Sequence, residues 1–144
     1  MESLYGVGSA GQKARLLADA SSLRITGAFA LTEPGHGSDV AGGMENRARR
    51  ISSATGKPDD GGDSWVLNGA KRWVGNGTFC DYLLVWARDE AVAADGQGAV
   101  RGFIVDASLP GVSRSRIENK IALRTVQNAD IVFEDVRVAE SDRF

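Results

Sequence analysis

The stretch "SWVLNGAKRWV", residues 64–74, carries the strongest local signal in the chain and decides the fold class. Two strand-like runs flank Asn68-Gly69. Both residues tolerate positive φ and so favour a type I′ turn, whose twist matches that of paired strands. The stretch is therefore expected to form a hairpin. Segments on either side share its character. "DYLLVWAR" (81–88) reads as a buried strand, and "AVRGFIVDA" (99–107) and "NADIVFEDVRV" (128–138) resemble it. Upstream, "ITGAFAL" (25–31) is a short apolar run and "MENRARRIS" (44–52) alternates loosely. The polar, glycine-rich segments "TGKPDDGGD" (55–63) and "AVAADGQGAV" (91–100) read as exposed loops. About six or seven strands separated by turns predict a mainly β fold, a sandwich or a barrel.

One helix is expected ahead of the strands. In "SAGQKARLLADASSL" (9–23), Ser9 and Gln12 have the spacing of a capping box. Ala14, Leu16, Leu17 and Ala20 then form a rough apolar stripe. So short a helix is marginal by itself and needs a surface to dock on. The 144 residues suggest one domain with a real core. Eighteen glycines against three prolines favour many turns between short strands. A net charge of -2 supplies no field for nucleic acid or an anionic membrane, so neither is an expected partner. Cys80 is the one cysteine, which rules out an internal disulfide within the chain. No basic-then-apolar leader opens the sequence, and no apolar run approaches the roughly 18 residues that cross a bilayer. A cytoplasmic location is the expectation.

"LTEPGHGSD", residues 31–39, concentrates the polar chemistry. A metal site would have to use Glu33, His36 and Asp39 alone, with no Cys pair or second histidine to support it. A hydrolase would use Ser38, but Val40 stands where the nucleophile elbow needs its second glycine. The same valine breaks a dinucleotide fingerprint. What remains is a tight turn set by Pro34 and two glycines, with N–H groups that can form an anion nest and a Ser38 hydroxyl that can donate to an oxygen. A generic turn has much the same composition. Trp65, Trp73 and Trp86 are core residues by default. Trp73 differs because "VGN" follows it, a strand end whose glycine permits close approach to a planar ligand. The basic run at residues 47–50 reads as a solvated strand face.

Together these segments resemble the middle β-domain of the acyl-CoA dehydrogenase family. The family pattern A-x-T-E-P-x-x-G-S-D reads "ALTEPGHGSD" here, and L-N-G-x-K-x-W-I-x-N reads "LNGAKRWVGN". "GFIVDASLPGV", "KIALRTVQN" and "FEDVRV" follow in the family's order. The resemblance implies an antiparallel β-barrel over residues 25–144. Residues 1–24 then correspond to the end of an N-terminal helical domain, and the C-terminal helical domain is absent. It also implies FAD as cofactor and an acyl-CoA thioester, oxidised at the α,β bond, as substrate. Carried over singly, Phe29, Leu31 and Thr32 line the flavin ring, and Gly37 and Ser38 bind the pyrophosphate side. Ser38 also touches the acyl-CoA, while Trp73, Val74 and Gly75 pack near the reactive nitrogen of the ring. No catalytic base and no metal ligand is assigned, because the family's base lies in the C-terminal helical domain. The chain alone is expected to bind FAD weakly and not to turn over. Family dehydrogenases usually have Thr where Gly75 stands, and oxidases of the superfamily often have Gly. Electron-transfer flavoprotein and oxygen are therefore both open as acceptors, with the short-chain oxidase and glutaryl-CoA-like branch the nearest match. A non-catalytic remnant or interaction domain is a further alternative. Family enzymes are commonly homotetramers; the resemblance leaves this chain's own state open.

Overall fold

The computed structural model describes residues 2–51, 63–95 and 99–144. The first expected loop falls almost wholly on residues 52–62, outside the described residues. Of the second, Glu90–Asp95 forms a 3-10 helix and residues 96–98 lie outside the described residues. Seven strands form one sheet: β1 Gly27–Ala30, β2 Arg47–Ile51, β3 Ser64–Gly75, β4 Tyr82–Asp89, β5 Val100–Asp106, β6 Val112–Arg116 and β7 Asn128–Ala139.

The predicted hairpin at Asn68-Gly69 is absent. β3 is one continuous strand of 12 residues, with β2 on one edge and β7 on the other. Folding its halves onto each other would leave those two neighbours without a ladder partner, and buried backbone groups need one. Asn68 and Gly69 serve a bulge instead. Register against β7 slips between Leu67 and Gly69, and the extra residue lies on β7, where Asp135 takes φ 51. The Asn68 side chain accepts from Asp135 N at 2.9 Å and donates to its carboxylate at 3.0 Å, so it satisfies the bulged backbone. Gly69 has φ 139, and a Cβ there would lie 2.2 Å from Asn46 Oδ1. Backbone conformation and space both demand glycine at this position.

The strand order is β1-β4-β2-β3-β7-β6, with β5 on the other edge of β4. The sheet is mixed, because β1 and β2 both run parallel to β4 while the other pairings are antiparallel. Its bulges curl the long strands, and the sheet wraps into a half-barrel. Inside lie Ala28 and Ala30, Trp65 and Leu67, Leu83 and Val85, Phe103 and Val105, and Ile131 and Phe133. Each large side chain buried there contributes roughly 1.5–3 kcal/mol. Sequence reading missed β6, whose "VSRSR" has no apolar alternation. It is an exposed edge strand on β7, and its arginines guard that edge against further pairing.

The expected helix is α2, Ala10–Ser21, and the capping box forms as its sequence implies. A six-residue helix, α1 Glu2–Val7, precedes it. Leu16 of α2 and Leu4 of α1 pack on Ile104, so the helices cover the outer face of β4 and β5. Gln12 does double duty. Its amide is buried and donates to Ser141 O at 2.8 Å and Arg143 O at 2.9 Å, tying the helix to the last residues of the chain. Among the described residues no helix is long and apolar enough to cross a membrane.

Candidate functional site

β1 runs straight into the polar loop. Glu33 N donates to His36 O at 2.9 Å and His36 N to Glu33 O at 3.4 Å, closing a turn around Pro34 and Gly35. Pro34 sets φ at this turn as its sequence position implies. His36 is not a freely solvated side chain. Its Nδ1 lies 2.6 Å from Asp39 Oδ2 and its Nε2 3.5 Å from Glu45 Oε1. The hydrogen bond to Asp39 raises the imidazole pKa above its ordinary value, and the same bond lowers that of Asp39. Both ring nitrogens face carboxylates, so the geometry gives Ser38 no general base. Gly37 N donates to Asp39 Oδ1 at 2.9 Å, so one amide of the expected nest is engaged. The exposed Ser38 hydroxyl has no hydrogen-bond partner among the described residues. Among those residues no group of three or more His, Cys, Asp or Glu is placed to hold a metal ion.

A second cation–carboxylate pair lies beneath the loop. Lys71 of β3 is fully buried, and its Nζ donates to Glu33 Oε1 at 2.8 Å and to Leu31 O at 3.0 Å. Glu33 Oε1 also accepts Asn46 N at 2.9 Å, and its Oε2 accepts Glu45 N at 2.6 Å. Burial pulls the lysine pKa down, and the Glu33 contact opposes that shift. Sequence reading passed over Lys71 and weighed Glu33 only as a metal ligand, although each stands inside a quoted motif. Alternation from Trp65 and Leu67 puts Lys71 on the inward face, and a lone lysine there requires a buried acid.

Next to Lys71 the register slips again, between Lys71 and Val74, and here the extra residue lies on β3. Trp73 takes φ 62, a conformation that a bulky residue seldom adopts. Asn128 Nδ2 donates to its carbonyl at 3.0 Å. The bulge turns the indole outward, where it is 50% exposed, with the Arg72 guanidinium 5.1 Å from its ring. Arg72 N donates to Thr32 O at 2.8 Å and joins the two motifs directly. Leu31, Thr32, Trp73 and Gly75 are thereby gathered around one end of β3. Val74 differs: its side chain is 1% exposed and belongs to the core, so only its backbone can meet a ligand. No atom lies within 4 Å of a Cβ built at Gly75 or at Gly37, and both positions are open. Phe29 is half-exposed, with its ring 6.1 Å from that of Trp86. It also borders an apolar cleft of about 420 Å³ between β1, β4 and the two helices.

Comparison with known proteins places this arrangement. Residues 28–136 match the family described as "Acyl-CoA dehydrogenase, middle domain". The chain is 32% identical over 131 residues to mitochondrial isovaleryl-CoA dehydrogenase of Pongo abelii, covering 91% of this chain and 28% of that protein. It is 38% identical over 116 residues to the caffeyl-CoA reductase-Etf complex subunit CarC of Acetobacterium woodii, covering 81% and 27%. The crystal structure of a glutaryl-CoA dehydrogenase from Mycobacterium smegmatis in complex with FADH2 superposes with a TM-score of 0.83 at 34% identity, covering 99% of this chain and 32% of that one. The chain thus spans about a third or less of the length of these relatives. Motifs, fold and similarity agree, and the chain belongs to the acyl-CoA dehydrogenase family, as its middle domain.

Proposed function

We propose that this chain is the FAD- and acyl-CoA-contacting wall of a flavoenzyme that oxidises acyl-CoA thioesters at the α,β bond. One observation carries the reading: the outward-turned Trp73 at a strained bulge, beside the open Gly75 and bonded through Arg72 to Thr32. Strained backbone of this kind concentrates at ligand sites. The residues present fit a flavin. An exposed indole next to a bare strand end accepts a planar ring, and the exposed Ser38 hydroxyl, without a partner among the described residues, suits a pyrophosphate or thioester oxygen. When bound, FAD supplies the electron acceptor for thioester oxidation. The chain's own residues orient and shield. Trp73 covers one face, Thr32 and Leu31 hold the adjoining edge, and Ser38 anchors the polar end. Gly37 contributes less than its motif implies, because its N–H already serves Asp39.

The family's proton-abstracting carboxylate matches no residue of this chain, so the chain by itself is expected not to turn over. As one wall of the site, about a third of its relatives' length, it is expected to hold flavin weakly. The likeness to a subunit named for an Etf complex supports electron-transfer flavoprotein as the electron acceptor. The open space at Gly75 supports oxygen as the second reading, which peroxide release by the assembled enzyme distinguishes. Titration of the chain with FAD, followed by flavin fluorescence, tests the central claim. Saturable quenching is expected, weakened about tenfold by Trp73→Ala, equivalent to roughly 1.4 kcal/mol. An unchanged flavin signal at millimolar FAD overturns it.

A further inference from the structure

The buried Lys71–Glu33 pair has no counterpart among the residues the motifs assign to cofactor or substrate. It joins four segments: the end of β1 through Leu31 O, the polar loop through Glu33, the entry to β2 through Glu45 N and Asn46 N, and β3 itself. Every assigned ligand-facing residue lies within a few positions of one of these anchors. Leu31 and Thr32 precede Glu33, Gly37 and Ser38 follow its turn, and Trp73 to Gly75 follow Lys71. The two anchors are 38 residues apart in sequence and meet nowhere else by side chain. Between the polar loop and β3 the other hydrogen bond is one backbone bond, Arg72 N to Thr32 O; the entry to β2 is fastened separately to β4 by Arg88.

We infer that Lys71 and Glu33 are a positioning pair, which holds the polar loop against the Trp73 bulge so that both present one ligand-binding face. Neither residue reaches that face, since both side chains are buried. Their work is to fix where others point, and a supporting shell of this kind decides whether a site is tight or loose. The loop that carries Ser38 has short-range bonds of its own, but these close it on itself and do not dock it. Docking against β3 falls to the ammonium, whose donors are directional and whose burial leaves no competing water, while Arg88 of β4 holds the far end of the segment through Gly42 O at 3.0 Å and Met44 O at 3.1 Å.

This inference rests on the flavin reading for what the face binds, but not for whether the pair docks the loop. The test uses the whole chain with Glu33→Gln and Lys71→Met together, which removes both charges and leaves none unpaired. Peptide-resolved amide exchange and FAD titration are measured on the same preparation, with cooperative thermal unfolding as the check that it is folded. Exchange is expected to rise at least about tenfold in residues 31–46 and 72–75 while β4 and β5 stay protected. FAD affinity is expected to fall about tenfold, beyond anything the unfolded fraction accounts for. Unchanged exchange in the loop overturns the inference, as does a uniform rise over the whole chain. Loosened exchange with unchanged FAD affinity overturns it too, because the loop would then be docked for no ligand. If the unmodified chain binds no FAD, the flavin reading fails, while the exchange result still decides whether the pair docks the loop. Should the double variant not fold, Lys71→Arg, which keeps the charge but lengthens the side chain, is judged by the same two readouts.

Discussion

Two cation–carboxylate pairs hold the loop between β1 and β2, and they differ in almost everything but their chemistry. Lys71 and Glu33 have side chains 0% and 2% exposed, at 2.8 Å. His36 and Asp39 have side chains 28% and 57% exposed, at 2.6 Å. Glu45 touches both, through its amide to Glu33 and its carboxylate to His36. Similar distances conceal very different consequences. Solvent screens the outer pair, so its charges attract only weakly. The inner pair has no solvent to fall back on, so losing one member strands a buried charge. The outer pair can therefore respond to pH, whereas the inner one is a fixed joint.

The largest effect comes from breaking the inner pair on one side. Lys71→Met leaves Glu33 buried and unpaired and is expected to destabilise the chain by about 3–5 kcal/mol, read by urea denaturation. Adding Glu33→Gln to it should recover more than half of that loss. If the double variant is as unstable as the single one, the buried charge is not what makes the joint expensive to break. Next is Gly69→Ala, which drives a Cβ toward Asn46 Oδ1 at φ 139 and should cost about 2 kcal/mol. An unchanged melting temperature would show that the bulge can relax.

The outer pair predicts a pH dependence instead. The folded pKa of His36 is raised, so its stabilisation is complete below the unfolded value of about 6.5 and is lost as pH rises through the folded value. That of Asp39 is lowered, so its contribution is present above about 3.9 and is lost as pH falls through its folded value. Between those limits both charges are in place. NMR titration of the Gly37 amide should report a step as pH rises through the folded pKa of His36, carried by their shared partner Asp39, and His36→Gln should abolish that step. A Gly37 shift that ignores His36 would remove the link between them. The smallest effect is expected at Gly75→Thr, where a Cβ meets open space and stability should change by no more than about 0.5 kcal/mol. If that substitution alters flavin affinity while leaving the melting temperature alone, the open space belongs to the ligand and not to the core.

Much of this architecture was legible from short stretches. The capping box at Ser9 and Gln12, the turn at Pro34 and the apolar strands depend on residues close in sequence, and each formed as its pattern implied. β6 was invisible for the complementary reason. An edge strand exposed on its outer side needs no apolar alternation, so "VSRSR" offered no pattern to read. The second carboxylate facing His36, that of Glu45 nine positions on in sequence, is brought beside it only by the fold.

The stretch at residues 64–74 marks the boundary between the two kinds of information. The sequence by itself determined that it is β, that Asn68 and Gly69 occupy a point of irregular backbone, and that its motif belongs with "ALTEPGHGSD" in one family. Only the tertiary structure decided that the irregularity is a bulge and not a reversal. Asn68 answers to Asp135, 67 residues away, and Gly69 to the close approach of Asn46. The same holds for Lys71, whose burial is tolerable only because Glu33 arrives from the end of β1. A local pattern states what a backbone can do. Which of those options is taken depends on partners the chain meets only when the sheet closes, because an unpaired strand edge or an unpaired buried charge is too unfavourable to leave standing.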